Sequence, residues 1–129
     1  MMHDPLSAML SKINNAQKAG KTELKFKPAS KLELNVLELL KKHGYIKDYQ
    51  YADDKKGGII TIKLANRINA IGPIRPRFSV QLAEYEKFEQ RYLPAKDFGL
   101  LIVSTSKGLL SHIEAKKKKI GGVLLGYVY

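Results

Sequence analysis

Residues 99–108 decide the fold of the second half of the chain, and they read GLLIVSTSKG. Residues 99–103 form a continuous apolar run, which predicts a strand buried on both faces of a sheet. Small and polar residues follow over residues 104–108, and we expect them to form a loop after that strand. The loop has two interpretations: a plain turn from a strand to a helix, or a site where the backbone approaches a ligand closely.

Downstream of this loop the sequence predicts a short helix and a terminal strand. Ser111 and Glu114 have the spacing of a capping box at the start of a helix. The pair Gly121-Gly122 then ends that helix, and residues 123–129 alternate in polarity as a strand does. We therefore expect the order loop, helix, strand after residue 104.

Upstream of residue 99 the sequence predicts an edge strand and a charged helix. Prolines exclude a central strand over residues 66–79, so we expect an edge strand or an extended segment there. Within it, Arg75-Pro76-Arg77 would present two guanidinium groups as a fixed fork, because proline holds the backbone extended. The other interpretation is two ordinary surface arginines. Residues 84–91 predict a short helix that ends before Pro94.

Two amphipathic helices dominate the first half of the chain. The first begins at Pro5 and ends near Gly20, and its apolar residues recur at helical spacing: Leu6, Met9, Leu10, Ile13 and Ala16. The second begins with the capping-box spacing of Ser30 and Glu33 and ends at Gly44. Both helices need a sheet to cover their apolar faces.

Three predicted strands supply that sheet. Residues 22–27 alternate apolar and charged side chains, and residues 45–52 and 59–64 flank a turn-forming run that predicts a hairpin. We therefore predict an α+β protein of two small domains. Residues 1–65 have the order α-β-α-β-β, and residues 66–129 are mainly β with a short helix.

The charge of the chain favours a polyanionic partner. Its 129 residues include 23 lysines and arginines and 12 acidic residues, giving a formal net charge of +11. Residues 1–65 carry 12 basic and 7 acidic side chains, and residues 66–129 carry 11 and 5, so the excess lies on both halves. Nucleic acid is the favoured partner, ahead of an anionic membrane surface or an unrelated basic enzyme.

The composition excludes several classes of protein. A chain with no cysteine has no disulfide framework, no thiolate metal site and no cysteine nucleophile. Its apolar runs are too short to span a bilayer, and its N-terminus shows no signal region. The histidines are isolated in sequence, so we expect neither a metal nor a cofactor.

Catalysis is a weaker interpretation than binding. Ser104 or Ser106 could combine with His112 and Asp97 as a hydrolase triad, but neither a spacing nor an elbow motif requires it. A hydrogen-bonding loop for the serines and a first-turn helix position for His112 are simpler interpretations. We therefore expect a protein that is not an enzyme.

Residues 104–108 and the lysine run 116–119 both suit nucleic-acid binding. Hydroxyl groups donate to or accept from base edges and ribose, Lys107 adds charge, and Gly108 removes a side-chain obstacle. The lysine run is either a solvated helix face or a patch that neutralises phosphate.

Several blocks of the sequence resemble one family, the universal small-subunit ribosomal protein eight. These blocks are residues 4–6, 9–10, 13–16, 28–31, 43–46, 104–108, 115, 121–122 and 127–129. The bacterial pattern has a glutamate where this chain has Val123 and a tryptophan where it has Tyr129, and residues 78–97 are longer than the bacterial equivalent. The chain therefore resembles the archaeal and eukaryotic branch of the family.

The resemblance implies a protein that binds small-subunit ribosomal RNA and organises the central domain of that subunit during assembly. It implies RNA contacts at Ser104, Thr105, Ser106, Lys107 and Gly108, with Gly121 and Gly122 shaping the neighbouring turn. It implies looser contacts in the first half at Ser11, Lys12, Asn15, Ser30 and Lys31. The charge argument adds Arg75 and Arg77 to the candidate RNA-binding residues.

The same resemblance sets the expected partners. These are small-subunit ribosomal RNA and neighbouring small-subunit ribosomal proteins, with the protein monomeric when free and cytoplasmic on the ribosome. The alternative function is a translational regulator that binds its own messenger RNA.

Overall fold

A computed structural model describes residues 5–27, 30–53, 55–95 and 98–129. The chain divides into two compact units, Met1–Asn69 and Ala70–Tyr129. The side-chain amide of Gln17 donates to Asn66 Oδ1 at 2.8 Å. Residue 66 is therefore held by the N-terminal unit.

The N-terminal unit has the predicted order of helices and strands. Its elements are α1 (Pro5–Lys18), β1 (Glu23–Phe26), α2 (Lys31–Lys42), β2 (Ile46–Ala52) and β3 (Ile59–Leu64). The three strands form an antiparallel sheet in the order β1-β3-β2. The apolar stripes of both helices are buried, which confirms the amphipathic pattern seen in the sequence.

Ser30 begins α2, but the capping box predicted there is wrong in its hydrogen bonds. Ser30 is the N-cap residue, yet its side chain makes no bond to the helix backbone. Its hydroxyl donates instead to the carboxylate of Glu33. Because Glu33 is buried, its carboxylate oxygen needs a donor within the protein, whereas the N–H groups at the exposed start of the helix can donate to water.

The C-terminal unit is built on a five-stranded antiparallel sheet. Its elements are β4 (Ile71–Pro73), β5 (Ser79–Val80), a 3-10 turn (Leu82–Glu84), α3 (Tyr85–Tyr92), β6 (Leu100–Thr105), β7 (Gly108–Ser111), α4 (His112–Lys117) and β8 (Gly122–Val128). The strand order is β4-β8-β6-β7, and β5 also pairs with β8. A shared apolar cluster joins α3 and α4 to the sheet through Tyr85, Phe88, Leu101, Val103, Ala115 and Leu124.

The apolar run at residues 99–103 forms the central strand that it predicts. Strand β6 lies between β7 and β8, and its residues 100–103 are all buried. The short helix before Pro94 and the terminal strand are also confirmed, as α3 and β8. Strand β8 is itself internal to the sheet, since it pairs with β4 and β5 along one edge and with β6 along the other.

The loop predicted at residues 104–108 is much shorter than expected. Ser104 and Thr105 belong to β6, Gly108 begins β7, and the turn itself is Ser106-Lys107. The order loop, helix, strand is therefore wrong, because β7 precedes the helix. Strand β7 has four residues without strict alternation of burial, so it lacks the period-two pattern by which strands are recognised.

The edge strand predicted within residues 66–79 is confirmed as β4, but the extended backbone predicted at Arg75-Pro76-Arg77 is a bend instead. Ile74 N–H donates to Leu125 O at 3.1 Å, and Leu124 N–H donates to Phe78 O at 2.9 Å. Residues 74 and 78 therefore bond to adjacent residues of β8. Residues 75–77, which lie between them in the chain, have to loop out of the sheet. Arg75 and Pro76 form this bend, and their peptide bond is cis.

Candidate nucleic-acid interface

The hairpin end between β6 and β7 presents the hydroxyl-rich residues of the sequence. Ser106, Lys107 and Gly108 are exposed, while Ser104 and Thr105 are half-buried in β6. Thr105 Oγ1 accepts from the N–H of Lys107 at 3.1 Å and donates to Gly108 O at 2.7 Å. The turn is therefore fixed internally by Thr105, which leaves Ser106 and Lys107 facing solvent on a rigid strand pair.

Gly108 completes this turn through its backbone conformation. Its φ of +98° lies in a region that favours glycine, whereas Ser106 and Lys107 have negative φ. A two-residue turn with negative φ angles, followed by a glycine with positive φ, is typical of a short hairpin connection. An added Cβ would meet no atom within 4 Å, so the space beside Gly108 is open to a ligand.

The pair Gly121-Gly122 supports this turn by close packing, not by forming a turn of its own. A Cβ on Gly122 would lie 2.5 Å from Ser104 O and 3.1 Å from Thr105 Cγ2. A Cβ on Gly121 would lie 2.3 Å from Val80 O. These two glycines let β8 and the residue before it lie against β6 and β5, beside the residues that precede the turn.

The arginine bend lies on the other side of β8 from this turn. Ser79 and Ser104 both pair with Val123, so β5 and β6 are two strand spacings apart, about 10 Å. Along β8 the bend lies beside residues 124 and 125, whereas Ser104 lies beside Val123. The bend is therefore further from the turn than Ser104 is. Arg75 and Arg77 are exposed but the structure does not bring them together with residues 104–108.

The lysine run at residues 116–119, which begins in the last turn of α4, contributes less free charge than its sequence suggests. Lys116 Nζ lies 2.7 and 2.8 Å from the two carboxylate oxygens of Glu89. Lys117, Lys118 and Lys119 are exposed. Three of the four lysines therefore face solvent as cations available to phosphate.

The remaining candidates belong to the N-terminal unit, on α1 and at the start of α2. Ser11, Lys12 and Asn15 are exposed on α1, and their spacing of three and four residues places them on one face. Lys12 Nζ donates to Lys25 O at 2.7 Å, which holds the ammonium group beside β1. Ser30 and Lys31 are exposed at the start of α2, which contacts α1.

Comparison with known proteins decides the family. The family described as ribosomal protein S8 matches residues 4–129. The chain belongs to the ribosomal protein S8 family.

Archaeal relatives agree over the full length of the chain. This chain is 50% identical over 129 residues to a small ribosomal subunit protein uS8 from Archaeoglobus fulgidus, and the match covers 100% of both chains. It is 48% and 46% identical to proteins of the same name from Pyrobaculum arsenaticum and Pyrobaculum neutrophilum, covering 100% of this chain and 99% of each relative. The resemblance to this family is therefore confirmed, and these three relatives are archaeal, in line with the expected archaeal and eukaryotic branch.

The ribosomal protein S8 family is a structural family, and the geometry of His112 agrees with a structural role. His112 is fully buried; its Nδ1 accepts from the N–H of Leu101 at 3.0 Å, and its Nε2 lies 2.8 Å from Glu89 Oε1. His112 therefore lies in the core beside Leu101 and Glu89, whereas Ser106 is exposed at the turn. Asp97, the third member of the hydrolase hypothesis, lies outside the described residues.

Within the described ranges, no group of three or more histidine, cysteine or carboxylate side chains could hold a metal ion. None of the helices described there is long and apolar enough to cross a membrane.

Glu89 is the residue that the sequence analysis missed. It lies on α3 and pairs with both His112 and Lys116 of α4, so it links the two helices that cover the sheet. No local pattern reveals this link, because the partners come from different elements. The sequence pattern predicts the helix that contains Glu89, but it does not indicate which residues Glu89 contacts.

Proposed function

We propose that this protein is a structural constituent of the small ribosomal subunit that binds small-subunit ribosomal RNA directly and helps to organise its central domain during assembly in the cytoplasm. The observation that carries the proposal is the hairpin end at residues 104–108. There a rigid strand pair presents an exposed hydroxyl, a cation and an open glycine.

Three properties support RNA as the ligand of this hairpin end. Exposed hydroxyl and ammonium groups recognise ribose, base edges and phosphate in irregular RNA. The net charge of +11 attracts the phosphate backbone over both halves of the chain. The relatives from three archaea carry the name of a small ribosomal subunit protein, in agreement with a place in that particle.

The test is a filter-binding measurement with small-subunit ribosomal RNA and with an unrelated RNA duplex. We expect Ser106→Ala to weaken binding to the ribosomal RNA by roughly 3- to 30-fold, because one or more hydrogen bonds of about 0.5–1.5 kcal/mol are lost. Binding to the duplex should stay the same, since lysines and arginines supply that affinity.

Ser79→Ala is the matched control, because it removes an exposed hydroxyl from β5, outside the candidate residues. It should change neither affinity. A parallel loss on both RNAs with Ser106→Ala would show that this hydroxyl makes no specific contact. Failure of the wild-type protein to bind ribosomal RNA more tightly than the duplex would refute the proposal itself.

A further inference from the structure

A cavity of about 340 Å³ lies beside α3 in the C-terminal unit. One face of α3, the three residues after α3 and one lysine of α4 line it: Glu86, Glu89, Gln90, Leu93, Pro94, Ala95 and Lys116. A volume of this size admits a small ligand or a long side chain. None of these residues belongs to the candidate RNA-binding set.

The spacing of residues on α3 produces this polar face. Tyr85 and Phe88 are buried in the apolar core of the unit. Glu86, Glu89 and Gln90 lie three and four residues apart, so they share a different face of the same helix. The helix therefore covers the sheet with one side and lines the cavity with another.

One carboxylate of the cavity is neutralised and the other is not. Glu89 is held by Lys116 at 2.7 Å, and its side chain is 12% exposed. The side chains of Glu86 and Gln90 make no hydrogen bond or ion pair with any residue that the structure describes. Two glutamates and one lysine leave a formal charge of −1 among the described lining residues, on a chain of net charge +11.

Phe98 is an exposed aromatic residue whose backbone is bonded to the cavity wall and whose ring centroid lies 6.4 Å from that of Tyr129. Phe98 is 49% exposed, and its N–H donates to Ala95 O at 3.2 Å, so its backbone is bonded to a residue of the cavity wall. Exposed aromatic side chains and arginine are enriched where proteins bind one another. The carboxylate of Glu86, which has no partner among the described residues, repels phosphate and attracts a cation.

We propose that this cavity and Phe98 form a docking surface for a basic segment of another protein, with one arginine or lysine side chain entering the cavity. The cation pairs with Glu86, and the Gln90 amide oxygen accepts a hydrogen bond from it. Its aliphatic stem packs on Leu93 and Pro94. This surface is separate from the RNA-binding residues and does not require them.

The first test is an NMR titration of the isotope-labelled protein with the peptide acetyl-Gly-Arg-Gly-amide. We expect the resonances of Glu86, Gln90 and Lys116 to shift together. Glu86→Gln should weaken peptide binding by about 3- to 10-fold, because it removes the charge of an ion pair. The same peptide with citrulline in place of arginine should not bind.

Glu23→Gln is the matched control, since it neutralises an exposed glutamate of the N-terminal unit. It should leave peptide affinity unchanged, and both variants should keep the melting temperature of the parent. Shifts spread over the whole protein, no shifts at all, or equal affinity in Glu86→Gln would overturn the proposal.

The second test identifies the occupant in assembled small subunits. A photoreactive amino acid replaces Gln90, and cross-linked products are analysed by mass spectrometry. We expect a cross-link to a protein peptide that contains arginine or lysine, and a lower yield when Phe98→Ala is added. Cross-links to RNA alone, or none from subunits that contain the protein, would refute the docking surface. Absence of the protein from the subunits would refute the proposed function, and the peptide titration would then decide the docking surface.

Discussion

Two neighbouring hydroxyl groups at the β6–β7 turn have different roles. The hydroxyl of Thr105 is used within the turn, as acceptor for Lys107 N–H and donor to Gly108 O. The hydroxyl of Ser106 is exposed and makes no hydrogen bond with the described residues. Thr105 therefore shapes the turn, and Ser106 is available to a ligand.

Thr105→Val separates these two roles, because valine keeps the shape of threonine without its hydroxyl. We expect the free energy of unfolding to fall by about 1 kcal/mol, the net contribution of exposed hydrogen bonds of this kind. The amide of Lys107 should exchange its hydrogen faster, since it loses its acceptor. Chemical denaturation and hydrogen-exchange NMR provide the two measurements; unchanged exchange at Lys107 would contradict this role for Thr105.

Tyr49 on β2 offers a titration that reports on the packing of α2. Its phenol donates to Glu38 Oε2 at 2.7 Å, and this hydrogen bond, with burial and the Glu38 and Asp48 charges, raises the pKa of Tyr49 to about 12. The unfolded phenol titrates near 10. The folded state therefore holds the proton more tightly, and the stabilisation is complete below pH 10 and is lost as the pH rises from about 10 to 12.

Glu38→Gln should lower the pKa of Tyr49 towards 10, because the charged acceptor is lost. NMR titration of the tyrosine ring resonances measures this shift. Glu23→Gln serves as the control with the same change of charge away from Tyr49. A pKa that stays near 12 in Glu38→Gln would show that the carboxylate is not its cause.

The packing of β8 against β6 depends on a glycine at position 122. An alanine Cβ there would meet Ser104 O at 2.5 Å and Val103 Cγ1 at 2.7 Å, so the strands have to move apart. We expect Gly122→Ala to lower the free energy of unfolding by about 2–4 kcal/mol. Thermal unfolding followed by circular dichroism checks this value.

Gly108→Ala is the matched comparison, because its Cβ meets no atom within 4 Å and its cost comes from backbone strain at a φ of +98° alone. We expect a loss of about 1–2 kcal/mol. A larger loss for Gly108→Ala than for Gly122→Ala would contradict the close packing of β8 against β6.

Elements with a strong local pattern could be predicted from the sequence, and elements fixed by pairing could not. The apolar run of residues 99–103 predicts β6, and the helical spacing of apolar residues predicts α1 and α2. Strand β7 exists because residues 108–111 pair with β6, which their own composition does not show. The position of residues 104–108 after β6 therefore follows from the sequence, whereas their conformation as a two-residue turn between two strands does not.

In the candidate site, too, residues with a local sequence pattern could be predicted, and contacts between separate elements could not. Residues 104–108 could be singled out by their composition and by the family resemblance. The bend at Arg75-Pro76 could not, since it follows from where residues 74 and 78 bond to β8. The Glu89–His112 contact joins two helices, so no spacing within either helix predicts it.

The positive charge is a property of the whole molecule. Both halves carry an excess of basic side chains, and the proposed RNA contacts lie in both units. RNA affinity should therefore fall steeply with salt, with a slope of about −0.7 to −0.9 in log K against log salt for each phosphate contact. Filter binding over a series of salt concentrations gives this slope, and an affinity independent of salt would contradict the electrostatic contribution.

Arg77→Ala tests one of these charges. We expect weaker binding to ribosomal and unrelated RNA alike and a slope that is smaller by about one contact, because a phosphate contact carries no sequence information. Weaker binding to ribosomal RNA alone would place Arg77 on a base instead.

The position of β8 in the sheet sets the order in which the C-terminal unit can fold on the translating ribosome. Among the described strands, β4 and β5 pair only with β8, yet residues 71–80 are synthesised well before residues 122–128. The sheet of the N-terminal unit, by contrast, uses strands that are all made by residue 64. A nascent chain stopped before Gly122 should thus resist protease over its first unit and be cleaved over its second.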